Sequence, residues 1–535
     1  VDDLLGGNQW IDVDPFAERD IKELATNIGL TQADIANVKQ NDLRNPDAAI
    51  TKNGRFGYDY RINMASAKLW AQNEWKWNEV DLYYALQLSY SYLQRTSDMI
   101  NGRAWYLAKL NPDYAWYYLA NNADAILAGN YDAVAGRMAG SHHHFVDPAF
   151  KVGATYKIDG RNHLKINAMA ETKAPLGRDA YISPRVHDRA TEAIYRHDYA
   201  GYYAKEYGTS WLQEYFGASQ KIVGGDLTYS FNYPIVRGRV TGFFTQFWNG
   251  TELNGYYDDE ARTFVNQSLT GINRRHMGVE AAAAVKLGTY FTLTGVLSIG
   301  DYRYTSNALA ITSAENGMAL AENANGPIYE LRDSVLLKGL HVATGPQLNT
   351  SLKLSFFHPK MWFADITVNY FDWSYLDYAP ARRMQGLFTG KRADGSKVNG
   401  WYGDQYTDAI QKVDGQVVYD NYGVPVLKYP YSLMSNQEML TASNPLHRFL
   451  VDVSLGKLIY LPNRQSISIN LTVNNLLNNT HFKTGGYQQA RLPRQTRQGV
   501  PDNENSVISP NAWKFPSKYY YAWGTNFYLN IQYKF

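Results

Sequence analysis

The side chains able to do chemistry fall in a few places along the chain. His142, His143 and His144 are consecutive and could offer imidazole nitrogens to a transition metal. Adjacent histidines lack the fixed geometry of a specific site, and a polar connecting segment accounts for the run more simply. His276 and Glu280 lie four residues apart in an alternating stretch, 274–287, so both fall on its polar set and can face a ligand, an inserted segment or solvent together. Glu171, Arg178 and Arg185 flank Pro175 and Pro184. They could form a charged latch in which Arg185 grips an anion in bidentate fashion, or simply ion pairs that fold a loop. Asp258, Asp259 and Glu260 lack the spacing of a calcium loop and read as a solvated tip. Aromatic side chains crowd the polar stretches, with Trp105, Tyr106, Trp116 and Tyr117 in one and Trp401 and Tyr402 in another. Such rings can stack on sugars or apolar ligand parts, or can pack the loop that carries them.

No motif for catalysis accompanies these residues. The chain has no cysteine, which excludes thiol chemistry and iron–sulfur ligation. No nucleophile elbow, phosphate loop, dinucleotide fingerprint or zinc-helix pattern occurs in its required context. A non-enzyme without cofactor or metal is expected. The 535 residues carry 52 Lys+Arg against 50 Asp+Glu, a net charge of +2, so nucleic acid held by bulk positive charge is not an expected partner.

The elements that must position these residues show in the alternation. Mean hydropathy is −0.42, and no run nears the roughly 18 apolar residues of a spanning helix. Residues 1–20 are polar and acidic, without the pattern of a targeting peptide. Period 2 is pervasive. Phe527, Leu529, Ile531, Tyr533 and Phe535 alternate with polar partners, as do Ile467, Ile469, Leu471 and Val473, and Phe449, Val451, Val453 and Leu455. Further strand pairs are predicted at 348–356 with 362–370, 274–287 with 290–305, 219–233 with 237–249, 147–158 with 162–173, and 57–71 with 77–93. A final strand is expected over 517–535.

Short turns join the members of each pair, and long segments at 94–146, 174–218, 250–273, 306–337, 377–445 and 478–516 join the pairs. Strands of ten or more residues with alternating short and long connections are the pattern of a transmembrane β-barrel. Its polar set faces a wet lumen and its apolar set faces lipid. Trp70, Trp75 and Trp77 at one end and Tyr90, Tyr92 and Tyr370 at the other suggest two aromatic girdles. The competing class is a soluble all-β glycan-binding protein, which would cover its apolar faces with a second layer. Tyrosine outnumbers the other aromatics, with 43 against 21 Phe and 13 Trp, and suits either class. About thirteen strands is an odd count that cannot close antiparallel, so residues 1–56 are expected to form an extracellular loop with a short helix in 15–40, and two sheet edges should stay open.

Several segments carry a family resemblance. Glu171-Thr-Lys-Ala-Pro-Leu-Gly-Arg-Asp-Ala-Tyr-Ile-Ser-Pro-Arg185, Asn474-Asn-Leu-Leu-Asn-Asn479 and Phe515-Pro-Ser-Lys-Tyr-Tyr-Tyr521 running to Phe535 make the chain resemble the C-terminal part of a TonB-dependent outer-membrane transporter of the Bacteroidetes type. The resemblance implies an all-β chain giving about 13 C-terminal strands of a barrel of about 22, with the plug domain and N-terminal strands outside this chain. It implies nutrient import (glycan, peptide or metal chelate) across the bacterial outer membrane, coupled through the plug to an inner-membrane energy protein. Membrane lipid and lipopolysaccharide would surround it, and a surface lipoprotein lid is common among relatives. A barrel that scaffolds an outer-membrane complex would have the same wall. Under this reading Trp105, Tyr106, Trp116, Tyr117, Arg185, His276, Glu280, Trp401 and Tyr402 are the candidate ligand contacts.

Overall fold

A computed structural model describes residues 59–97, 142–182, 218–258, 263–314, 330–389, 437–490 and 517–535, together with a few shorter pieces. Most of 1–56, including the expected helix in 15–40, and most of 94–146, 174–218, 377–445 and 478–516 lie outside the described residues.

Thirteen strands follow one another in a single antiparallel sheet, each paired with its neighbour in sequence. They are β1 (Tyr60–Lys76), β2 (Val80–Ser97), β3 (His143–Lys157), β4 (Asn162–Lys173), β5 (Gln220–Asn232), β6 (Val236–Asp258), β7 (Thr263–Leu287), β8 (Phe291–Tyr304), β9 (Leu348–His358), β10 (Trp362–Asp372), β11 (Phe449–Tyr460), β12 (Ser466–Asn474) and β13 (Asn526–Lys534). Tight turns close the short ends. Gly288 takes a positive φ in the β7–β8 turn, and Asn463 does so in the β11–β12 turn. Among the described residues β1 and β13 each have one sheet neighbour, so the sheet is open at both ends, as two unpaired edges require.

Register converts the alternation into two chemically distinct faces. One row runs Val285, Leu293, Leu354, Ile366, Val453, Val473, Phe527 across seven strands. The adjacent row runs Lys286, Thr292, Ser355, Asp365, Ser454, Thr472, Tyr528. A slip of one residue between any two strands would exchange the faces, so the pattern holds the register. The apolar face has no cover among the described residues: Leu88, Leu227, Leu352 and Leu455 in mid-strand are 50–52% exposed. Trp75 points to this face, opposite Leu82, whereas Trp70 pairs with Gln87 on the polar face. Trp70 therefore does not join a girdle with Trp75, because five residues is an odd spacing on a strand.

The buried core lies beyond one end of the sheet. β6 and β7 stay paired past the level of their neighbours, from Glu252 opposite Leu269 to Tyr257 opposite Phe264, with register shifts around Ile272 and Gly271 at positive φ. The segment 250–273, expected as a connecting loop, is thus mostly an overhanging hairpin. In 306–337, Ala308–Ala314 pairs with β7 and with Glu330–Val335. These strands are buried on both faces: Val265, Gln267, Ser268 and Leu269 are each at most 1% exposed. That erases the polar–apolar alternation by which strands are read. Leu269, Ile272, Tyr304, Ala310, Val335, Leu337, Tyr378 and Met384 form one cluster there.

The expected strand over 517–535 is two strands. Lys518–Tyr521 pairs with Lys483–Tyr487 in a separate ladder, and only β13 joins the sheet. The break is held by the asparagines of 474–479. Asn475 donates from Nδ2 to the carbonyls of Trp523 (2.8 Å) and Asn479 (3.0 Å) and accepts the Asn479 N–H at 2.9 Å. Asn479 donates to the carbonyls of His447 and Phe449 at 3.0 and 2.9 Å. Asn478 accepts the Thr525 N–H at 3.1 Å. Asn475 and Asn478 both take positive φ, which asparagine tolerates better than most residues. In thermal unfolding of the full-length protein, Asn475→Ala is expected to cost about 2–4 kcal/mol, from buried groups left unpaired and a strained φ. Asn475→Gly should recover about 1 kcal/mol of it, and a null effect of both would remove this role for the motif.

Candidate ligand-facing surface

The polar face of the sheet and the overhang above it are where a ligand could meet side chains. On this face the side chains tie strand to strand. Lys157 reaches Asp81 at 2.7 Å. Tyr83 donates to Asn167 at 3.0 Å, which donates in turn to Asp226 at 2.8 Å. Lys353 meets Asp365 at 3.4 Å, and Asn369 donates to Asp452 at 2.9 Å. The Tyr83 ring can cross its neighbouring strand only because position 153 is glycine, where a Cβ would lie 2.3 Å from the ring. Charges of both signs are spread along the face, so it is wet and polar without favouring anions or cations.

His276 and Glu280 both lie on this face, on β7. The imidazole sits between Phe247 and Tyr302, with ring centroids 5.1 and 4.7 Å away. Its Nε2 is buried and has no hydrogen-bond partner among the described residues. Glu280 is exposed, opposite Thr241 on β6 and Ser298 on β8. Four strand residues separate the two Cα atoms by roughly 13 Å, so only an extended ligand or an inserted protein segment meets both. Trp105, Tyr106, Trp116, Tyr117, Arg185, Trp401 and Tyr402 lie outside the described residues. Of the charged segment, Arg178 pairs with Asp179 at 3.2 Å and Glu171 stands opposite Ile222.

The three histidines are placed by their strand. His142 and His144 bind the hydroxyls of Tyr92 and Tyr90, each at 2.7 Å through Nδ1, while His143 is buried beside Tyr181. They mark the start of a strand, and alternate residues point to opposite faces, so the three rings cannot converge. Among the described residues no group of three His, Asp or Glu side chains could hold a metal ion.

The overhang adds a charged cluster that alternation did not reveal. Arg274 contacts Glu252 at 3.5 Å, Tyr378 donates to the same carboxylate at 3.4 Å, and Tyr304 meets Tyr378 edge-on at 5.4 Å. Burial raises the Glu252 carboxyl above the usual carboxylate range, opposed by the neighbouring Arg274 charge. The connections packed around the overhang are tied to one another. The Asp377 N–H donates to the Gly486 carbonyl at 3.0 Å, Gln488 accepts from Ala379 at 3.2 Å, and Asp333 accepts the Gly386 N–H at 3.0 Å. Arg274 stood in plain view beside His276. Its partners come from 252, 304 and 378, distances along the chain that no local pattern spans.

No protein-family model matches the chain, and no curated protein matches it. Solved structures resemble it in part. The siderophore receptor PiuA from Acinetobacter baumannii is 8% identical with a TM-score of 0.45, covering 91% of this chain and 45% of that one. The ferric yersiniabactin uptake receptor FyuA from Yersinia pestis is 10% identical with a TM-score of 0.42, covering 90% and 48%. The copper transporter OprC is 10% identical with a TM-score of 0.41, covering 91% and 51%. The chain spans about half the length of these structures.

The raised Glu252 carboxyl has a definite sign. A folded-state value above the unfolded one means that the ionised form disfavours folding. The cost is full above the raised value and vanishes below the unfolded carboxyl range near pH 4. Glu252→Gln is therefore expected to stabilise the overhang at neutral pH, with a gain that shrinks to nothing as pH falls to about 4. Hydrogen exchange of the Glu252–Leu269 ladder against pH measures this, and destabilisation growing toward neutral pH would show that the Arg274 attraction outweighs burial.

Proposed function

We propose that this sheet is part of the wall of a bacterial outer-membrane β-barrel that admits a nutrient, with the apolar face against lipid and the polar face lining the lumen. One observation carries the reading: an apolar face, uncovered among the described residues, backed by a predominantly polar one, across antiparallel strands with tight turns at one end and long connections at the other. Its height fits. From Met277 to Leu287 on β7 is ten residue steps, roughly 34 Å at about 3.4 Å per residue. Tilted by about 40°, that is roughly 26 Å, close to the apolar band of about 25 Å in such barrels. A soluble sandwich would bury this face under a second sheet.

In hydrocarbon the open edges of β1 and β13 would leave N–H and C=O groups unpaired at several kcal/mol each, so further strands must close the wall. The barrel itself is passive. Import is gated by a plug within the lumen, moved through an inner-membrane energy-coupling protein. The polar face around His276 and Glu280 then meets the plug or the passing solute. The aromatic segments carrying Trp105, Tyr106, Trp116, Tyr117, Trp401 and Tyr402, together with Arg185, capture a glycan, peptide or metal chelate outside, with a lipoprotein lid as a further partner.

Leu352 on the apolar face and Thr367 on the polar face test the assignment within one hairpin. Leu352→Arg should lower barrel stability by about 2–4 kcal/mol and deplete the protein from the outer membrane, while Thr367→Arg should be accepted. The readout is the shift in gel mobility between unboiled and boiled full-length protein from outer-membrane fractions. Absence of any shift in the parent protein, or equal tolerance of both arginines, would refute the lipid-facing wall.

A further inference from the structure

One patch of the polar face departs from the hydroxyls and amides around it. Phe243 on β6 and Tyr302 on β8 both belong to this face, for Phe243 is opposite Gly278 on β7 and Tyr302 is opposite His276. Between them Gly278 and Gly300 stand directly opposite each other, so the middle of the patch carries no side chain of its own. The two rings fill the gap by lying over it. A Cβ on Gly278 would come within 2.9 Å of the Phe243 ring, and one on Gly300 within 2.6 Å of the Tyr302 ring. The ring centroids are 6.4 Å apart. His276 backs Tyr302 at 4.7 Å, with Phe247 against the imidazole at 5.1 Å. Phe243 and Tyr302 are each half-buried, so both keep part of their surface open on the polar side among the described residues.

The face of an aromatic ring is its negative side and attracts a cation lying within about 6 Å of the centroid. At a separation of 6.4 Å, one cation can be in range of both rings. The nearby charges point the same way. Glu280, the next residue of this face toward the tight-turn end of β7, is exposed and makes no hydrogen bond or ion pair among the described residues. Two strand steps put its Cα about 7 Å from that of Gly278. The positive groups on the flanking rows do not cancel it. Arg274 is held by Glu252 at 3.5 Å, and Arg239, diagonal to Glu280 across the β6–β7 ladder, makes no ion pair with it. An anion would meet a carboxylate and two negative ring faces here, and a neutral ring could stack but would leave the carboxylate charge unanswered.

We propose that this patch is a binding site for an organic cation of the quaternary ammonium type, with its methyl groups on the Phe243 and Tyr302 faces and its charge beside the Glu280 carboxylate. The proposal rests on the reading of the polar face as a lumen wall and deepens it by naming a chemical class of solute that the wall holds. A quaternary ammonium suits the site because it needs no hydrogen-bond acceptor, which ring faces do not supply, and because a weakly hydrated cation gives up little on leaving water for an aromatic surface. A small cation lies over the glycine pair, between His276 and Glu280, and need not span the distance between those two residues.

The test titrates the full-length protein, extracted in detergent, with choline and with its uncharged isostere, in which a tert-butyl group replaces the trimethylammonium; saturation-transfer NMR follows both. Choline should bind at least about 5-fold more tightly than the isostere, and Glu280→Gln combined with Phe243→Leu should bring the two within about 2-fold of each other. Choline binding no tighter than the isostere, or a preference that persists in an assembled double variant, would overturn the proposal. The comparison of the two probes on the unaltered protein decides the matter even if the double variant does not assemble. Where the protein shows the gel-mobility shift but no preference for choline, the site alone fails. Where it shows no shift and stays soluble without detergent, the lumen wall fails and the site with it.

Discussion

Every backbone N–H and C=O inside hydrocarbon must find its partner within the protein, because no solvent there will accept it. An antiparallel sheet satisfies them laterally, strand to strand, and does so regardless of which side chains it carries. That freedom allows one face to be entirely apolar and the other entirely polar. It also makes the end strands the weak points: among the described residues β1 and β13 each have one sheet neighbour, and an edge left unpaired would be costly in hydrocarbon.

With hydrogen bonding handled by the ladder, the sheet needs no buried core of its own. Its leucines and valines stay half exposed on one side, and the opposite side is knitted by pairs such as Lys157–Asp81 and Asn369–Asp452. The true core lies past the end of the strands, where the β6–β7 overhang meets the connections after β8 and β10. That is the place for it. Under the proposed membrane reading, a connection that leaves the lipid layer meets water that competes for every polar group, so it must bury apolar surface to be ordered. The asparagines of 474–479 do a related job by bonding, holding the tops of β11, β12 and β13 together through side-chain amides.

Between the wall and this cap runs a rim where the rules change within two residues. Met277 belongs to the apolar band, and Arg275 on the same face belongs to a charged cluster with Asp301 and Arg303. Arg274, one position away, turns to the other face and meets Glu252 and the buried tyrosines of the cap. Adjacent arginines thus serve different environments, because a strand sends successive side chains to opposite sides.

Alternation alone was enough to determine the thirteen successive strands of the main sheet, save where the last one begins, with their pairing order and their two faces, since a period of two is a local property and adjacent antiparallel strands need only a short turn. The polar placement of His276 and Glu280 followed from the same parity, as did the open ends of an odd set of strands. Parity also contradicts a girdle containing both Trp70 and Trp75, which are five residues apart. What only the tertiary structure decided lies where alternation vanishes or partners are remote. The strands at 263–270 and 308–314 are buried on both faces, so their polar and apolar residues no longer alternate. The cluster of Arg274, Glu252, Tyr304 and Tyr378 joins four distant stretches. The break before β13 depends on amides 48 and 47 residues away reaching the Trp523 carbonyl and the Thr525 N–H. A sequence displays the interactions between near neighbours, whereas contacts between distant segments are settled by folding.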